Sequence, residues 1–498
     1  MPGRARRVLV VGIDGVRLDT LRRLPTPHLD ALTRQGFLTT VAIDVDTPTM
    51  SGPCWATVVT GVTAAKHGVW SNDFSGHRLG VFPDFATRLA EGDGRRTFVA
   101  AGWEPLMLAR GGGPLFQAPA RAAYVSPEVD TPEGWERCDE QITEEAVRVL
   151  SDDDPEASFV YLGAPDETAH FLGCGDEYDR SVLAADERLG RLLEAVRSRP
   201  SYEHEDWTYL VVTDHGHVDA GGHGGRSEAE RTAWLIAAGP GIDAGSAPRA
   251  VRHVDVAPQV FASLGRHPDR HWTLDGRPFA AAPHAVLLDM DGTLVDTETL
   301  WLRTVRETAE GLGHELGEED LPFVLGRAVA DTAAHLRQVS GTGRSEDSVA
   351  GELDAAFLTA VERETDVLPG ALELLDLLED LDIPAALVSA SPRPVVDAVL
   401  KVLGAERFRT TVAEGETPRT KPASDPYRAA ARALGVDPAA CLAVEDSPTG
   451  VAAAEAAGCR VLAVPSFTDI PSAPRRTVLP GLSAVSRRTL WTAGLASR

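Results

Sequence analysis

The sequence has 498 residues, which is enough for about two to four domains with hydrophobic cores of their own. Its formal net charge of −26 argues against nucleic acid or an anionic membrane surface as the main partner. The five cysteines are scattered and lack a CxxC spacing, so we expect reduced thiols in a cytoplasmic protein.

The first half opens with an apolar run over residues 8–13, which predicts a central parallel strand with Asp14 at its carboxyl end. Residues 26–36 have the spacing of an amphipathic helix. Ser51 then stands two residues before Pro53, and proline suits the first turn of a helix. Ser51 is either the N-cap of that helix or a nucleophile at its N-terminus, and this stretch alone favours the N-cap.

Two later apolar runs of the first half also end in side chains that can bind metals. One run is followed by Asp166 and His170, whose spacing of four residues can place two ligands on one face of a helical turn. The other run ends in Asp214 and His215, and the Gly-rich loop beyond it contains His223. Such a dense set of aspartates and histidines favours a metal site over a solvated polar loop.

We expect all these side chains to converge, because parallel strands end at one edge of a doubly wound sheet. Three aspartates, three histidines and one serine suit a pair of metal ions, which can clamp the attacking and leaving oxygens of an in-line phosphoryl transfer. The set consists of Asp14, Ser51, Asp166, His170, Asp214, His215 and His223.

Over about residues 5–280 this pattern resembles the alkaline phosphatase superfamily, nearest its type I nucleotide pyrophosphatase/phosphodiesterase branch. The resemblance implies two metal sites, one formed by Asp166, His170 and His223 and the other by Asp14, Asp214 and His215. It also implies that Ser51 bridges both metals as the nucleophile. Asn72 stands where an asparagine of that branch binds a non-bridging phosphoryl oxygen.

The sequence departs from that branch in three ways. Ser51 occupies a position where threonine is more frequent, and Gly52 and Cys54 replace a bulky residue and an asparagine. Because of these changes, the resemblance does not identify the substrate. They do not affect the metal chemistry that it implies. His217 and Asp219 have no counterpart in the pattern, and we assign them only to the loop.

The second half begins with an apolar strand followed by the motif DxDGT, in which Asp289 and Asp291 flank one residue. Two such aspartates project the same way, toward one metal and one phosphate. Polar side chains also follow or lie between the later predicted strands, namely Ser389, Lys421, Glu445 and Asp446. This order over about residues 284–470 resembles the haloacid dehalogenase superfamily, in particular the β-phosphoglucomutase/phosphoglycolate phosphatase group.

The resemblance implies a role for each of these residues. Asp289 is the nucleophile that forms an aspartyl phosphate, and Asp291 is the general acid and base. Ser389 and Lys421 bind phosphoryl oxygens. The implied Mg²⁺ site contains Asp289, the carbonyl of Asp291, Asp446 and, nearby, Glu445.

Residues 301–366 match the small helical cap of that group. Mutases of the group carry a histidine and an arginine where this chain has Trp301 and Val329, which favours a plain phosphatase. Arg327 in the cap is within reach of a substrate anion, although a solvated arginine is the favoured interpretation.

The predicted fold class is α/β, with two doubly wound parallel-sheet domains: an alkaline phosphatase-like domain and a Rossmann-like core with an inserted helical cap. The predicted boundaries are 1–280 for the first domain, 284–300 and 367–470 for the core, 301–366 for the cap and 471–498 for a C-terminal tail. The two resemblances imply that both domains act on phosphate.

The function predicted from the sequence is therefore a bifunctional phosphohydrolase. The first domain would cleave a phosphodiester or nucleotide-type diphosphate with two divalent metals, Zn²⁺ or alternatively Mn²⁺, and the second would hydrolyse a phosphomonoester with Mg²⁺. The partner would be a small nucleotide- or sugar-phosphate-like metabolite, with no nucleic acid and no membrane. The first domain could instead be a phosphomonoesterase, phosphonate hydrolase or phospho-group transferase, or one domain could be a non-catalytic scaffold.

Overall fold

A computed structural model of the chain describes residues 4–109, 112–242, 244–245, 247, 250–266, 268–324, 328–466 and 468–495. The chain forms two compact units, and the boundary between them along the sequence lies between Ala282 and Pro283. Each unit is an α/β domain built on one sheet, which confirms the predicted fold class. Arg327 of the predicted cap lies outside the described residues.

The first unit contains a seven-stranded sheet. Its strands are β1 (Ala5–Ile13), β2 (Phe37–Ala42), β3 (Thr97–Ala101), β4 (Arg121–Tyr124), β5 (Ala157–Leu162), β6 (Glu205–Val212) and β7 (Thr232–Ala238). Their order across the sheet is β2-β7-β6-β1-β5-β3-β4. The central strand β1 pairs in parallel with β5 and β6, and its buried apolar run matches a strand that is covered on both faces.

The sheet differs from an all-parallel one at one side, where β7 runs antiparallel to both β6 and β2. The reason is the connection between β6 and β7. It carries the predicted histidine loop and one short helix rather than a full crossover helix, so the chain returns in the opposite direction.

Eleven helices of the first unit surround this sheet in the described part of the chain. They are α1 (Leu18–Arg23), α2 (Pro27–Gln35), α3 (Ser51–Thr60), α4 (Ala64–His67), α5 (Phe85–Asp93), α6 (Glu104–Met107), α7 (Pro132–Asp152), α8 (Ala164–Leu172), α9 (Asp176–Arg197), α10 (Glu228–Arg231) and α11 (Val256–Ser263). Helix α3 lies very close to β1, because a Cβ atom on Gly12 would sit only 2.5 Å from the Trp55 ring. This close approach brings the N-terminus of α3 to the carboxyl end of β1.

The second unit contains a six-stranded sheet in which every pair of neighbours is parallel. Its strands are β8 (Ala285–Leu288), β9 (Ala385–Val388), β10 (Phe408–Val412), β11 (Cys441–Glu445), β12 (Arg460–Ala463) and β13 (Arg476–Val478). They follow the order β10-β9-β8-β11-β12-β13. The last strand comes from residues 471–498, so the segment predicted to be a tail completes the edge of this sheet.

The helices of the second unit divide between a group with its own apolar core, in the region of the predicted cap, and those that flank the sheet. They are α12 (Thr297–Gly311), α13 (Val329–Ser340), α14 (Glu346–Glu364), α15 (Ala371–Asp380), α16 (Arg393–Leu403), α17 (Asp425–Ala433), α18 (Pro448–Ala457) and α19 (Arg487–Thr492). Helices α12, α13 and α14 share a separate apolar core that includes Val305, Leu336 and Leu353. Among the helices of the described residues, none combines the length and apolar character needed to cross a bilayer.

Candidate active sites

The first site lies at the carboxyl edge of the first sheet, where the predicted residues meet. Asp14 follows β1, Asp214 follows β6, and His215 comes directly after Asp214. His215 Nε2 lies 3.2 Å from Asp214 Oδ2 and 3.6 Å from Asp14 Oδ1. All three side chains are fully buried. They form one compact group of possible metal ligands.

A second group is built on α8 and the histidine loop. Asp166 and His170 are one helical turn apart, and His170 Nε2 lies 3.4 Å from Asp166 Oδ2. His223 Nε2 approaches from the loop, 2.9 Å from His170 Nε2 and 3.8 Å from Asp166 Oδ1. The structure thus brings together the same two sets of three residues that the sequence predicts.

The imidazole rings are oriented as metal ligands usually are. His215 Nδ1 faces the carbonyl oxygen of Gly216 at 3.2 Å, and His223 Nδ1 faces that of Thr49 at 2.7 Å. Because a carbonyl oxygen only accepts hydrogen bonds, each Nδ1 carries the proton and donates it. Burial lowers the pKa of both rings, so each presents an unprotonated Nε2 to the carboxylates.

The environment of the buried carboxylates of Asp14 and Asp214 favours a bound cation. Burial, and then the charge of Asp166, raise the pKa of Asp14 to about 7, and burial followed by the charge of Asp14 raises the pKa of Asp214. Asp14 Oδ1 and Asp214 Oδ2 receive no hydrogen bond from any residue that the structure describes. Buried acids with unused oxygens are costly unless a positive ion compensates them, so this donor set fits a divalent metal.

Ser51 is the first residue of α3, and the N-cap position belongs to Met50. The N-cap interpretation of Ser51 is therefore wrong: the helix begins one residue too early for the serine to cap it. The Ser51 hydroxyl instead lies 3.4 Å from His215 Nε2, and the side chain is buried. Asn72 is close by, since its Oδ1 accepts a hydrogen bond from the amide of Gly52 at 2.8 Å.

The structure also explains why Gly52 follows this serine. A Cβ atom at Gly52 would lie 2.5 Å from the carbonyl oxygen of Ser71 and 3.1 Å from Asn72 Oδ1. A bulky residue here would displace the segment that carries Asn72. The small residue therefore permits the close approach of Asn72 to Ser51.

His217 was missed by the sequence analysis, which assigns it only to the loop. The structure buries its ring completely and places its Nε2 2.8 Å from Asp166 Oδ1. The sequence signal was present, because His217 stands two residues after His215. Asp219 lies on the exposed side of the loop and pairs with Arg17.

The second site lies at the carboxyl edge of the second sheet. Asp289 follows β8, and its Oδ1 receives a hydrogen bond from Lys421 Nζ at 2.5 Å. Lys421 also donates to Glu445 Oε1 at 2.7 Å. Burial alone would lower the pKa of Lys421, but the charges of Asp289 and Glu445 raise it above its ordinary value.

Asp291 faces the other side of this site. Its Oδ2 accepts hydrogen bonds from Ser389 at 2.8 Å and from Ser391 at 2.9 Å, and its Oδ1 accepts one from Thr297 at 2.6 Å. Ser391 is a further residue that the sequence analysis missed. The repeated serine in Ser-Ala-Ser after strand β9 was the available signal.

Three acids of the second site form a group that can hold a metal, namely Asp289, Glu445 and Asp446. Burial and the charge of Glu445 raise the pKa of Asp289 to about 7, and burial and the charge of Asp289 raise that of Asp446 to about 7. Glu445 differs from the other two, since its Oε1 is engaged by both Lys421 and Tyr427. Three crowded carboxylates with a single lysine leave negative charge that suits a cation.

The two α/β units, each with a cluster of possible metal ligands at the carboxyl edge of its sheet, suit a two-domain phosphohydrolase. Comparison with known families supports this class. Residues 8–227 match the family model of type I phosphodiesterase/nucleotide pyrophosphatase, and residues 283–458 match that of haloacid dehalogenase-like hydrolase. The two matches agree with the two resemblances seen in the sequence, one in each half of the chain. Both families generally depend on divalent metals.

Two curated proteins are similar to about two fifths of the chain. Hexitol phosphatase A of Escherichia coli (strain K12) is 36% identical over 37% of this chain and 84% of its own length. Protein CbbY of Rhodobacter capsulatus is 34% identical over 41% of this chain and 96% of its own length. Among solved structures, CbbY from Rhodobacter sphaeroides in complex with phosphate is 26% identical and covers 41% of this chain and 96% of that one, with a TM-score of 0.37.

Proposed function

We propose that the chain is a bifunctional phosphohydrolase in which each domain forms its own covalent phospho-enzyme. The first domain cleaves a phosphodiester or nucleotide-type diphosphate through Ser51, and the second hydrolyses a phosphomonoester through Asp289. The observation that carries the proposal is the position of Ser51. Its buried hydroxyl lies 3.4 Å from His215 Nε2. The nearby carboxylates of Asp14 and Asp214 each have one oxygen that receives no hydrogen bond from the described residues.

In the first domain, the proposed metal ligands are Asp166, His170 and His223 for one ion and Asp14, Asp214 and His215 for the other, with Ser51 between them. Bound divalent ions supply charge stabilisation for the attacking and leaving oxygens. Ser51 is the nucleophile, and the N-terminus of α3 directs backbone amides toward the phosphoryl group. Asn72 is held beside Ser51 and donates from its side-chain amide to a non-bridging oxygen.

In the second domain, Asp289 attacks phosphorus and Asp291 first protonates the leaving oxygen and then takes a proton from water. The hydroxyls around Asp291 hold its carboxyl group in place, and Ser389 and Lys421 bind phosphoryl oxygens. Glu445 fixes Lys421 at the site. Asp289, Asp446 and the carbonyl of Asp291 are the proposed ligands of Mg²⁺.

The donor atoms support the proposed metal identities. Histidine nitrogens mixed with carboxylates suit Zn²⁺, with Mn²⁺ as the next choice, so we assign these ions to the first domain. The second domain offers only oxygen atoms, which suits Mg²⁺.

The second site is proposed to act on a sugar phosphate or a similar small metabolite. The relatives of this half include a hexitol phosphatase, and Trp301 stands where the mutases of the group carry a histidine. The Trp301 indole donates to the carbonyl of Val324 at 3.0 Å and is thus used within the cap. This arrangement supports the proposal of a plain phosphatase.

The two reactions are proposed to be sequential. Cleavage of a diester or diphosphate by the first domain releases a phosphomonoester, which is the kind of substrate that the second domain accepts. Tethering raises the local concentration of such an intermediate.

Two assays of the full-length protein test this function. The Asp289→Asn variant isolates the first site, and with Zn²⁺ or Mn²⁺ it should hydrolyse bis-p-nitrophenyl phosphate faster than p-nitrophenyl phosphate. The opposite preference would make the first domain a phosphomonoesterase. In the Ser51→Ala variant, Mg²⁺-dependent hydrolysis of sugar phosphates should persist.

A substrate screen tests the sequential step. Wild-type protein should convert a nucleotide sugar or dinucleotide to a dephosphorylated product, identified by mass spectrometry. The Asp289→Asn variant should accumulate the phosphomonoester, and the Ser51→Ala variant should leave the starting compound intact. If the two variants lose activity on unrelated substrates, the reactions are not sequential.

A further inference from the structure

Thr49 links the segment before Ser51 to the histidine loop between β6 and β7. It stands two residues before Ser51 and directly before Met50, the N-cap of α3. Its side chain is completely buried, although no step of the proposed reaction uses it. Three hydrogen bonds join this one residue to the loop residues 223–225.

The three hydrogen bonds of Thr49 involve both its main chain and its side chain. The carbonyl oxygen of Thr49 accepts from His223 Nδ1 at 2.7 Å. The hydroxyl accepts from the amide of Gly224 at 3.0 Å and donates to the carbonyl of Gly225 at 3.0 Å. The main-chain bond orients the His223 ring. The two hydroxyl bonds set the distance between the loop backbone and the segment before Ser51.

Glu230 of α10 holds the same loop. Its side chain is buried, and its Oε1 accepts a hydrogen bond from the amide of Gly225 at 2.6 Å. The contact is close, since a Cβ atom at Gly225 would lie 2.8 Å from that carboxylate. Gly224 has a φ of +99°, in the region that favours glycine. Through Thr49, the segment before Ser51 is therefore bonded to a loop whose own main chain is already held in place.

The proposed reaction requires one geometry for Ser51 and the metal ligands, but they lie on different elements. Ser51 begins α3, whereas His223 lies on the loop and belongs to the ligand group of Asp166 and His170. A misplacement of about 1 Å between a nucleophile and the groups around it can cost about 100-fold in rate. A buried residue that is bonded to the loop and continuous with the start of α3 controls this distance.

We propose that Thr49 is a positioning residue of the first site, whose hydroxyl fixes the distance between Ser51 and the loop that carries His223. This inference rests on the proposed function, because it requires that Ser51 attacks phosphorus beside a metal ion bound by His223. Removal of the hydroxyl should lower kcat and leave KM almost unchanged, since the metal ligands and the groups that bind substrate remain.

Hydrogen exchange in the metal-free, full-length protein tests the link itself, independently of activity. Thr49→Val and Thr49→Ala both remove the hydroxyl, so the amide of Gly224 loses its acceptor and should exchange about 5- to 10-fold faster. Thr49→Ser should restore the wild-type rate. Unchanged exchange at Gly224 in the two variants without the hydroxyl would contradict the link.

Thr60→Val is the matched control for the loss of a buried hydroxyl. Thr60 is also buried, but its hydroxyl donates to the carbonyl of Ala56 within α3 and does not join two elements. This variant should leave both the exchange of the Gly224 amide and kcat at the values of the parent protein. An equal effect in Thr60→Val and Thr49→Val would assign both hydroxyls to general stability and contradict the proposal.

Kinetics in the Asp289→Asn background, which isolates the first site, provide the second measurement. With Zn²⁺ bound, Thr49→Val should lower kcat for bis-p-nitrophenyl phosphate by about 10- to 100-fold, with KM changed by less than about 3-fold. Thr49→Ser should retain kcat. Zinc content, measured by elemental analysis, should be the same in all these variants.

The outcomes separate this inference from the proposed function. An unchanged kcat in Thr49→Val, with Ser51→Ala inactive, would overturn the positioning role and leave the proposed function intact. Loss of zinc together with activity in Thr49→Val would make Thr49 a structural support of the metal site and would also overturn it. If the parent protein binds no zinc and Ser51→Ala remains active, both the proposed function and this inference are wrong.

Discussion

The indole nitrogen of Trp55 donates a hydrogen bond to Asp14 Oδ2 at 2.9 Å. This bond joins α3, which begins with Ser51, to the end of strand β1, which carries Asp14. The hydroxyl of Tyr161 donates to the same oxygen at 2.6 Å. Asp14 Oδ2 is thus fixed by two donors, and only Oδ1 is left for a cation. The two donors orient the carboxyl group of Asp14, which is one of the proposed metal ligands.

Trp55→Phe should preserve the packing of an aromatic ring against Phe159 and Tyr161 but remove the donor. We expect metal affinity at the site of Asp14 to fall by about 10- to 100-fold, because that carboxyl group loses one of its two restraints. Zinc titration against a chelator provides the measurement.

Trp234→Phe is the control for this substitution. The Trp234 indole is also buried but donates to the backbone carbonyl of Val16 at 2.8 Å rather than to a carboxylate. It should lower stability without changing zinc affinity. Unchanged zinc affinity in Trp55→Phe would show that the bond to Asp14 has only a structural role.

Ser51→Ala should abolish hydrolysis of diesters by the first domain, with a loss of at least about 10³-fold in kcat, because the proposed nucleophile is removed. Zinc content should change little, since the six Asp and His ligands remain. Ser51→Thr should retain activity, as it keeps the hydroxyl. Rates and elemental analysis on the same preparations separate these effects, and a Ser51→Ala variant with wild-type kcat would rule out a phosphoserine intermediate.

Much of both sites could be predicted because parallel strands impose a direction on the residues that follow them. Asp14 and Asp289 each come directly after a buried strand, and their convergence with later acids needs only the order of strands. The burial of His217 could not be predicted this way. It depends on a loop that turns back at Gly221 against α8, and such a turn leaves no periodic signal in the sequence.

Two features of the fold escaped prediction for similar reasons. Strand β13 has three residues, Arg476–Val478, which is too short to give an alternating pattern. The antiparallel direction of β7 depends on the connection after β6, and an apolar run does not reveal the direction of a strand.

His67 should make the free energy of unfolding of the first unit depend on pH in the acidic range. Its Nδ1 accepts a hydrogen bond from the amide of Val69 at 3.1 Å, so Nε2 carries the proton and donates to Thr57 Oγ1 at 3.1 Å. Burial, and then the charge of Arg78, lower the pKa of His67 to about 3. The unfolded chain therefore binds a proton near pH 6.5 that the folded protein does not take up until the pH is far lower.

The sign follows from this difference: His67 contributes stability that is fully present above about pH 6.5 and is lost as the pH falls toward 3. Between about pH 6.5 and 4.5 the contribution lost is about 2 to 3 kcal/mol. Urea unfolding of metal-free protein at both pH values should show that extra loss in wild type relative to His67→Gln. Parallel pH dependence in the two proteins would contradict a neutral His67.

Lys421 should be the most sensitive position of the second site. It is buried between Asp289 and Glu445, and it also donates to the carbonyl of Val388 at 2.9 Å. Lys421→Met keeps much of the side-chain volume but leaves two buried carboxylates without their common counter-charge. We expect a loss of about 3 to 5 kcal/mol in the free energy of unfolding of this unit, together with loss of phosphomonoester hydrolysis.

The double variant Lys421→Met with Glu445→Gln separates the effect of buried charge on stability from the effect of the missing lysine on activity. Removing the second charge should recover part of the lost stability, because the introduced amide needs no cation and its oxygen can still accept from the Tyr427 hydroxyl. Activity should stay low, since the phosphoryl oxygens still lack the lysine. Denaturant unfolding and a phosphate-release assay measure the two effects. If the double variant is less stable than Lys421→Met alone, the buried charges do not govern the stability of this site.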